Sequence, residues 1–162
     1  MQLVDNTGTF LQVFKPILCF PAGIFKIMTL KYNSEQRVEY LNMTERIGMN
    51  WLEVFQGNAE FYSAPYWDLL TSVWKCGGQV RKTDAAKFMK GIKSAQTAGK
   101  YVESATENGF LQEEDNPRDA RSKLLALSPE MKGRLDIFFD QAVEELRKAS
   151  KKVESANPAN NP

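Results

Sequence analysis

The sequence predicts a mainly α-helical chain with a small two-stranded wing, the winged helix-turn-helix class. Three observations carry this prediction. Apolar stripes at helical spacing lie towards both ends of the chain. Between them, two short helices are joined by a tight turn at Gly91-Ile92-Lys93. After Gly109 the helical period gives way to two extended runs around an Asn-Pro turn.

The elements follow in order. Ser34–Phe55 is expected as the first long helix, with Ser34 as N-cap and Glu35 in an acidic first turn. Val38, Leu41, Gly48, Leu52 and Phe55 share one face, and Tyr40, Ile47, Trp51 and Val54 widen it. A helix apolar on more than one side is sandwiched, in the core or against a second subunit. Gln56–Asn58 is a break. The next helix opens at Ser63-Ala64-Pro65, where proline suits the first turn, and buries Trp67, Leu70, Val73 and Trp74. It ends at Gly77-Gly78. A short helix capped by Thr83 follows, then the turn, then Ser94–Asn108 capped by Ser94. Ala98, Val102 and Ala105, with Tyr101 beside them, form the inner stripe of that helix. Ser94, Gln96, Thr97 and Lys100 are left outward.

Phe110–Glu114 and Arg121–Leu127 are the expected strands. Ser128-Pro129-Glu130 supplies the cap, first-position proline and acidic first turn of a last helix. That helix is expected to reach about Lys152, with Met131, Leu135, Phe138, Ala142, Leu146, Ala149 and Val153 as its stripe. The chain thus divides into an apolar leader (1–33), a winged-helix domain (34–153) and an Asn/Pro-rich tail (154–162) expected to be disordered.

Composition narrows the function. The 162 residues suit one domain, and 43% apolar with 25% charged is ordinary for a globular chain. The chain has no histidine, so the usual general base, the histidine-activated nucleophiles and the commonest metal ligand are missing. Cys19 and Cys76 cannot make a four-thiolate zinc site. A non-enzymatic protein without metal or cofactor is therefore expected. Few cysteines fit a reducing compartment. The apolar stretch Phe10–Leu30 is interrupted by Lys15, Pro16, Pro21, Gly23 and Lys26, which break a membrane helix. Its N-terminal flank carries only Asp5, unlike a signal peptide. The expectation is a soluble, cytoplasmic protein with no membrane partner. The leader is either a packing arm or a translated extension, with Met28 and Met43 as alternative starts.

Net charge is +1, but it is unevenly spread. Lys75, Arg81, Lys82, Lys87, Lys90, Lys93 and Lys100 face only Asp84 within residues 75–100, a local +6, whereas Ser34–Asp68 sums to −4. Phosphate responds to the local face and not to the whole-chain sum. In a winged helix-turn-helix the second helix of the pair enters the major groove. Gln96 can pair with adenine edges, and Ser94 and Thr97 with several bases.

The residues also resemble a known family. Asn116-Pro-Arg-Asp-Ala-Arg121, followed by Lys123-Leu-Leu-Ala-Leu-Ser-Pro-Glu-Met-Lys-Gly133, is similar to the wing and following helix entry of MarR-type transcriptional regulators. Glu107-Asn-Gly-Phe-Leu111 resembles the family's exit from its recognition helix. The likeness covers about Trp67–Gly133; Ser34–Phe55 and Arg134–Lys152 match in helix placement only. It implies a triangular dimer built from the first and last helices, which become dimerisation helices, on a pseudopalindromic operator. The family's second wing arginine is replaced by Ala120, and Arg118 stands before Asp119 instead. Arg121 matches the retained arginine, which pairs with the aspartate or braces the wing. The leader 1–33 is not typical of the family.

Together these readings imply a sequence-specific, double-stranded-DNA-binding transcriptional regulator, a homodimeric repressor acting by operator occlusion. Ser94, Gln96, Thr97 and Lys100 would read bases. Arg81, Lys82, Lys93 and Arg118 would hold phosphates, and Arg121 would support the wing. The alternative is a winged-helix protein-interaction adaptor that does not bind DNA. Individual residues also have plainer readings. The α-helical polar set could simply face solvent, and Asp119/Arg121 could be a surface ion pair. Cys76 is either a redox-responsive thiol or an inert one. Trp51, Tyr62, Tyr66, Trp67 and Trp74 either line a pocket for a small aromatic ligand or pack the core.

Overall fold

Residues 30–156 are described by the computed structural model. Their elements are α1 (Ser34–Val54), a 3-10 turn (Ala59–Phe61), α2 (Ala64–Cys76), β1 (Val80–Arg81), α3 (Lys82–Ala85) continued by a 3-10 turn (Ala86–Phe88), α4 (Ala95–Glu107), β2 (Leu111–Asp115), β3 (Lys123–Leu127) and α5 (Pro129–Ser155). The leader through residue 29, with Cys19 and Met28, lies outside the described residues, as do residues 157–162 of the expected tail.

Helix α1 is capped by Asn33, not by Ser34 as predicted. The Asn33 side chain accepts the Gln36 backbone N–H at 2.9 Å, and the Gln36 side chain accepts that of Asn33 at 3.0 Å. This reciprocal box satisfies two of the orphan donors of a helix start. The same two side chains then donate to α5, Asn33 Nδ2 to the Ala156 carbonyl and Gln36 Nε2 to that of Val153. The free N–H groups of one helix and the free carbonyls of the other are thus closed by one pair of residues. α5 runs antiparallel to α1 from there: Arg46 meets Glu145 midway, and Arg134 donates to the Val54 carbonyl at the far end. α5 continues through Glu154 and Ser155, two residues into the expected tail.

The core draws on every helix long enough to have a stripe. Trp51, Val54 and Phe55 of α1 and its cap meet Leu69, Leu70 and Val73 of α2, Val102 of α4, Leu111 and Leu125 of the strands, and Met131, Leu135 and Phe138 of α5. Trp51 is the aromatic hub, edge-on to Phe55, Trp67 and Phe138 with ring centroids 4.8 to 5.2 Å apart. The predicted α2 face is rotated slightly. Tyr66, Leu69, Leu70, Thr71 and Val73 are buried, while Trp67 is 39% exposed. α2 stops at Gly77, whose φ of 67° only glycine adopts readily, and Gly109 (φ 71°) turns α4 into β2 in the same way.

The sheet has three strands, in the order β1-β3-β2 and antiparallel throughout. The predicted wing strands pair from Leu111↔Leu127 to Asp115↔Lys123. β1 was not visible in sequence, because two residues cannot show an alternation; it exists through its pairing Val80↔Leu125 and Arg81↔Leu124. β1 runs straight into α3, so Arg81 takes the N-cap position with no side-chain cap, and Thr83 lies inside the helix instead of capping it. Arg121 and Ser122 belong to the wing turn, and β3 starts only at Lys123.

Asn33→Ala removes the cap and the tie to Ala156. It should lower unfolding free energy by about 1 kcal/mol, the usual cost of a lost N-cap, measured by urea denaturation. Glu145 gives a pH signature. Its carboxyl is held below the ordinary value by the hydrogen bond from Arg46 first and from Lys148 second. A lowered folded-state value contributes stability that is present above the ordinary glutamate range and lost as pH falls through the lowered value. Glu145→Gln should flatten that part of the acid limb of a pH–stability curve.

Candidate nucleic-acid interface

α4 approaches the rest of the domain closely because its inner stripe is small: Ala98, Val102 and Ala105, each no more than 3% exposed. Ser94 caps it as predicted, Oγ accepting the Thr97 N–H at 3.3 Å. The opposite surface of its first two turns is free. Gln96, Thr97 and Lys100 are exposed on one face, and Lys93 and Ser94 are exposed at its entry. Between α3 and the start of α4 lies a groove of about 570 Å³ with Ala86, Ala98 and Gly99 in its floor and Lys82, Lys87 and Lys93 on its rim. Three ammonium groups stand around one concavity.

The cations are not equally available, which counting could not show. Lys82 Nζ sits 2.7 Å from Glu113 of β2, and Lys87 Nζ 2.7 Å from Asp84. The Lys87 hydrogen bond holds the Asp84 carboxyl below its ordinary value. Arg81, Lys90, Lys93 and Lys100 make no ion pair among the described residues. The sequence reading missed Lys87 as a groove residue and missed Glu113 as the partner of Lys82. Their spacing in sequence gives no sign of either contact.

The wing tip is built by Asn116, which is 7% exposed. Its Nδ2 donates to Ser122 Oγ at 2.7 Å, and its Oδ1 accepts the Arg118 N–H at 3.0 Å. Asp119 Oδ1 accepts the Arg121 backbone N–H at 3.1 Å. The Asp119–Arg121 relation is therefore made through the main chain, and the side-chain ion pair that is one reading of these two residues is not formed. Both Arg118 and Arg121 are exposed and carry no ion pair among the described residues. β2 is acidic: Glu113 binds Lys82, Glu114 accepts from Gln79, and Asp115 binds Lys123. Asn116 and Ser122 were not singled out as functional; the Asn-Pro pair marked only a turn.

The aromatic residues separate into two groups. Trp51, Tyr62 and Trp67 line a hollow of about 340 Å³ between α1 and the start of α2. Ser63 also lines it, and its buried Oγ has no hydrogen-bond partner. A Cβ on Gly48 would lie 2.8 Å from the Tyr62 hydroxyl, so glycine keeps that wall open. Tyr66 and Trp74 are not part of it; Tyr66 donates to Ser104 Oγ and Trp74 Nε1 to Asp136. Cys76 is exposed at the end of α2. Among the described residues no group of acids and cysteines could hold a metal ion, and no helix is long and apolar enough to cross a membrane.

The succession α2, β1, α3, α4, β2, β3 with strand order β1-β3-β2 defines a winged helix-turn-helix domain. No family model and no curated protein sequence matches the chain. Solved structures of MarR-family and related regulators are similar to it. A probable transcriptional regulator from Pseudomonas aeruginosa is 20% identical, over 70% of this chain and 80% of that one, at a TM-score of 0.46. A cysteine-to-serine MarR variant from E. coli, complexed with operator DNA, is 13% identical over 72% and 78%, at 0.47. A MarR family transcriptional regulator from Streptomyces coelicolor, in complex with DNA, is 21% identical over 76% and 74%, at 0.45.

Asn116→Ala should loosen the wing without touching α4. Leaving its buried partners unpaired costs about 1–3 kcal/mol locally. Amide exchange should speed up across residues 116–122 and stay unchanged in α4.

Proposed function

We propose that the protein is a sequence-specific, double-stranded-DNA-binding transcriptional regulator. The observation that supports this best is the exposed face of Gln96, Thr97 and Lys100 beside the lysine-rimmed groove. Short polar and cationic side chains at the start of a projecting helix suit base edges in a major groove. Lys93, Arg81 and Arg118 are unpaired cations around that face and suit phosphates. Arg121 suits the wing's flank. Ser94 is occupied as a cap, which leaves its hydroxyl as a secondary reader.

The same reading includes a homodimer that represses by covering its operator. Val38, Tyr40, Leu41 and Met49 of α1, and Val143 and Leu146 of α5, are each more than half exposed. Exposed apolar side chains in this number mark an interaction surface more often than a solvated one. A small aromatic ligand suits the hollow at Trp51, Tyr62 and Trp67, whose unpaired Ser63 Oγ offers a polar contact.

A mobility-shift assay, on duplexes selected from a random pool, tests the reading. Binding should be steep in salt, log affinity falling by about 0.9 per phosphate neutralised against log salt. Replacing Gln96 and Lys100 together by Ala should abolish preference for the selected sequence; an unchanged affinity overturns the assignment. Glu113→Gln should release Lys82 and steepen the salt slope by about 0.9, one extra phosphate contact. Absence of duplex binding even at low salt would instead favour the protein-adaptor role.

A further inference from the structure

α4 is held to the domain mostly by contacts without direction. Ala98, Val102 and Ala105 are small, and such a stripe fixes how near the helix lies better than how it is turned about its axis. One contact is different. Tyr66 of α2 donates its hydroxyl to Ser104 Oγ at 2.8 Å. Among the described residues this is the only hydrogen bond to α4 from a side chain of another element. The tyrosine is itself immobilised: it is 4% exposed, edge-on to Phe61 at 5.1 Å and to Tyr101 of α4 at 5.3 Å. Burial raises its pKa above the ordinary tyrosine value, so the hydroxyl stays a donor.

Ser104 lies on a particular stripe of α4. Thr97, Lys100 and Ser104 stand at i, i+3 and i+7, so they share one face over two turns. The C-terminal end of the stripe is bonded inward to α2, and its N-terminal end is the exposed polar face. Turning the helix enough to break the bond would carry Thr97 and Lys100 round by the same angle.

We infer that Tyr66 is a positioning residue for the reading helix, its hydroxyl bond to Ser104 fixing the rotation at which Thr97 and Lys100 meet DNA. This rests on the duplex-reading role proposed for α4. Tyr66 touches no base; it acts through Ser104.

The test uses the full chain with Tyr66→Phe, Ser104→Ala, both together, and Ser104→Thr, which keeps the hydroxyl. Amide exchange is measured in the free protein. Affinity is measured for a duplex enriched from a random pool and for its scrambled counterpart, at one salt concentration. Either single variant should speed exchange in α4. Each should lower the ratio of selected to scrambled affinity about three- to tenfold, the range of one net hydrogen bond. The double variant should lose no more than either single one, because both remove the same bond. Ser104→Thr should retain the ratio. Scrambled-duplex affinity and the salt slope should not move. Equal losses on both duplexes, with a fall in Tm, would mean a merely structural contact and overturn the inference. So would single variants that match the parent in exchange and in ratio while the parent still enriches a sequence. A parent chain that enriches no duplex overturns the DNA reading itself, and this inference with it.

Discussion

The junction at Ser128 is the constraint on which the rest of the domain depends. Its Oγ accepts the Met131 N–H at 3.1 Å and so starts α5. Its own N–H donates to the Phe110 carbonyl at 3.0 Å, where the chain leaves α4 for β2. One buried residue therefore sets the end of the wing, the start of α5 and the exit of α4 together. Leu125 and Leu127 on one side of it and Met131 and Leu135 on the other carry that geometry into the core. α1 then closes along α5, with both ends tied by hydrogen bonds to main-chain carbonyls.

Much of this was legible in the amino-acid order. Pro129 and Glu130 after Ser128, and Ser94 at the start of α4, gave two caps correctly because capping is local chemistry. Ala98, Val102 and Ala105 were identifiable as the inner face of α4 from spacing alone. Asn33 escaped notice because a serine stood next to it, and only the return bond from Gln36 decides between the two. β1 escaped because its two residues become a strand only by pairing with β3. The same limit governs the interface. The exposed polar face of α4 follows from periodicity, whereas the pairing of Lys82 with Glu113 and of Tyr66 with Ser104 joins residues far apart in sequence.

Those distant pairs also change what the charge pattern means. The basic segment is strong in sum, yet Lys82 and Lys87 spend their charge on neighbouring acids. Of the cations without an ion pair, Lys90, Lys93 and Lys100 stand around the start of α4, and Arg118 and Arg121 on the wing tip. Among the described residues, unpaired positive charge is thus kept out of strands β2 and β3. A surface arranged this way discriminates by position, since only a polyanion that spans both places gains from both.

The acidity of β2 has a separate consequence. β2 is an outer strand, and among the described residues its far edge pairs with no other strand. A bare strand edge invites edge-to-edge joining of copies, and natural sheets commonly deter it with charge. Glu113, Glu114 and Asp115 follow one another along that edge. Two such strands brought alongside would set like charges against each other. The residues that hold Lys82 and Lys123 are thereby the ones that line the sheet's free edge with like charge.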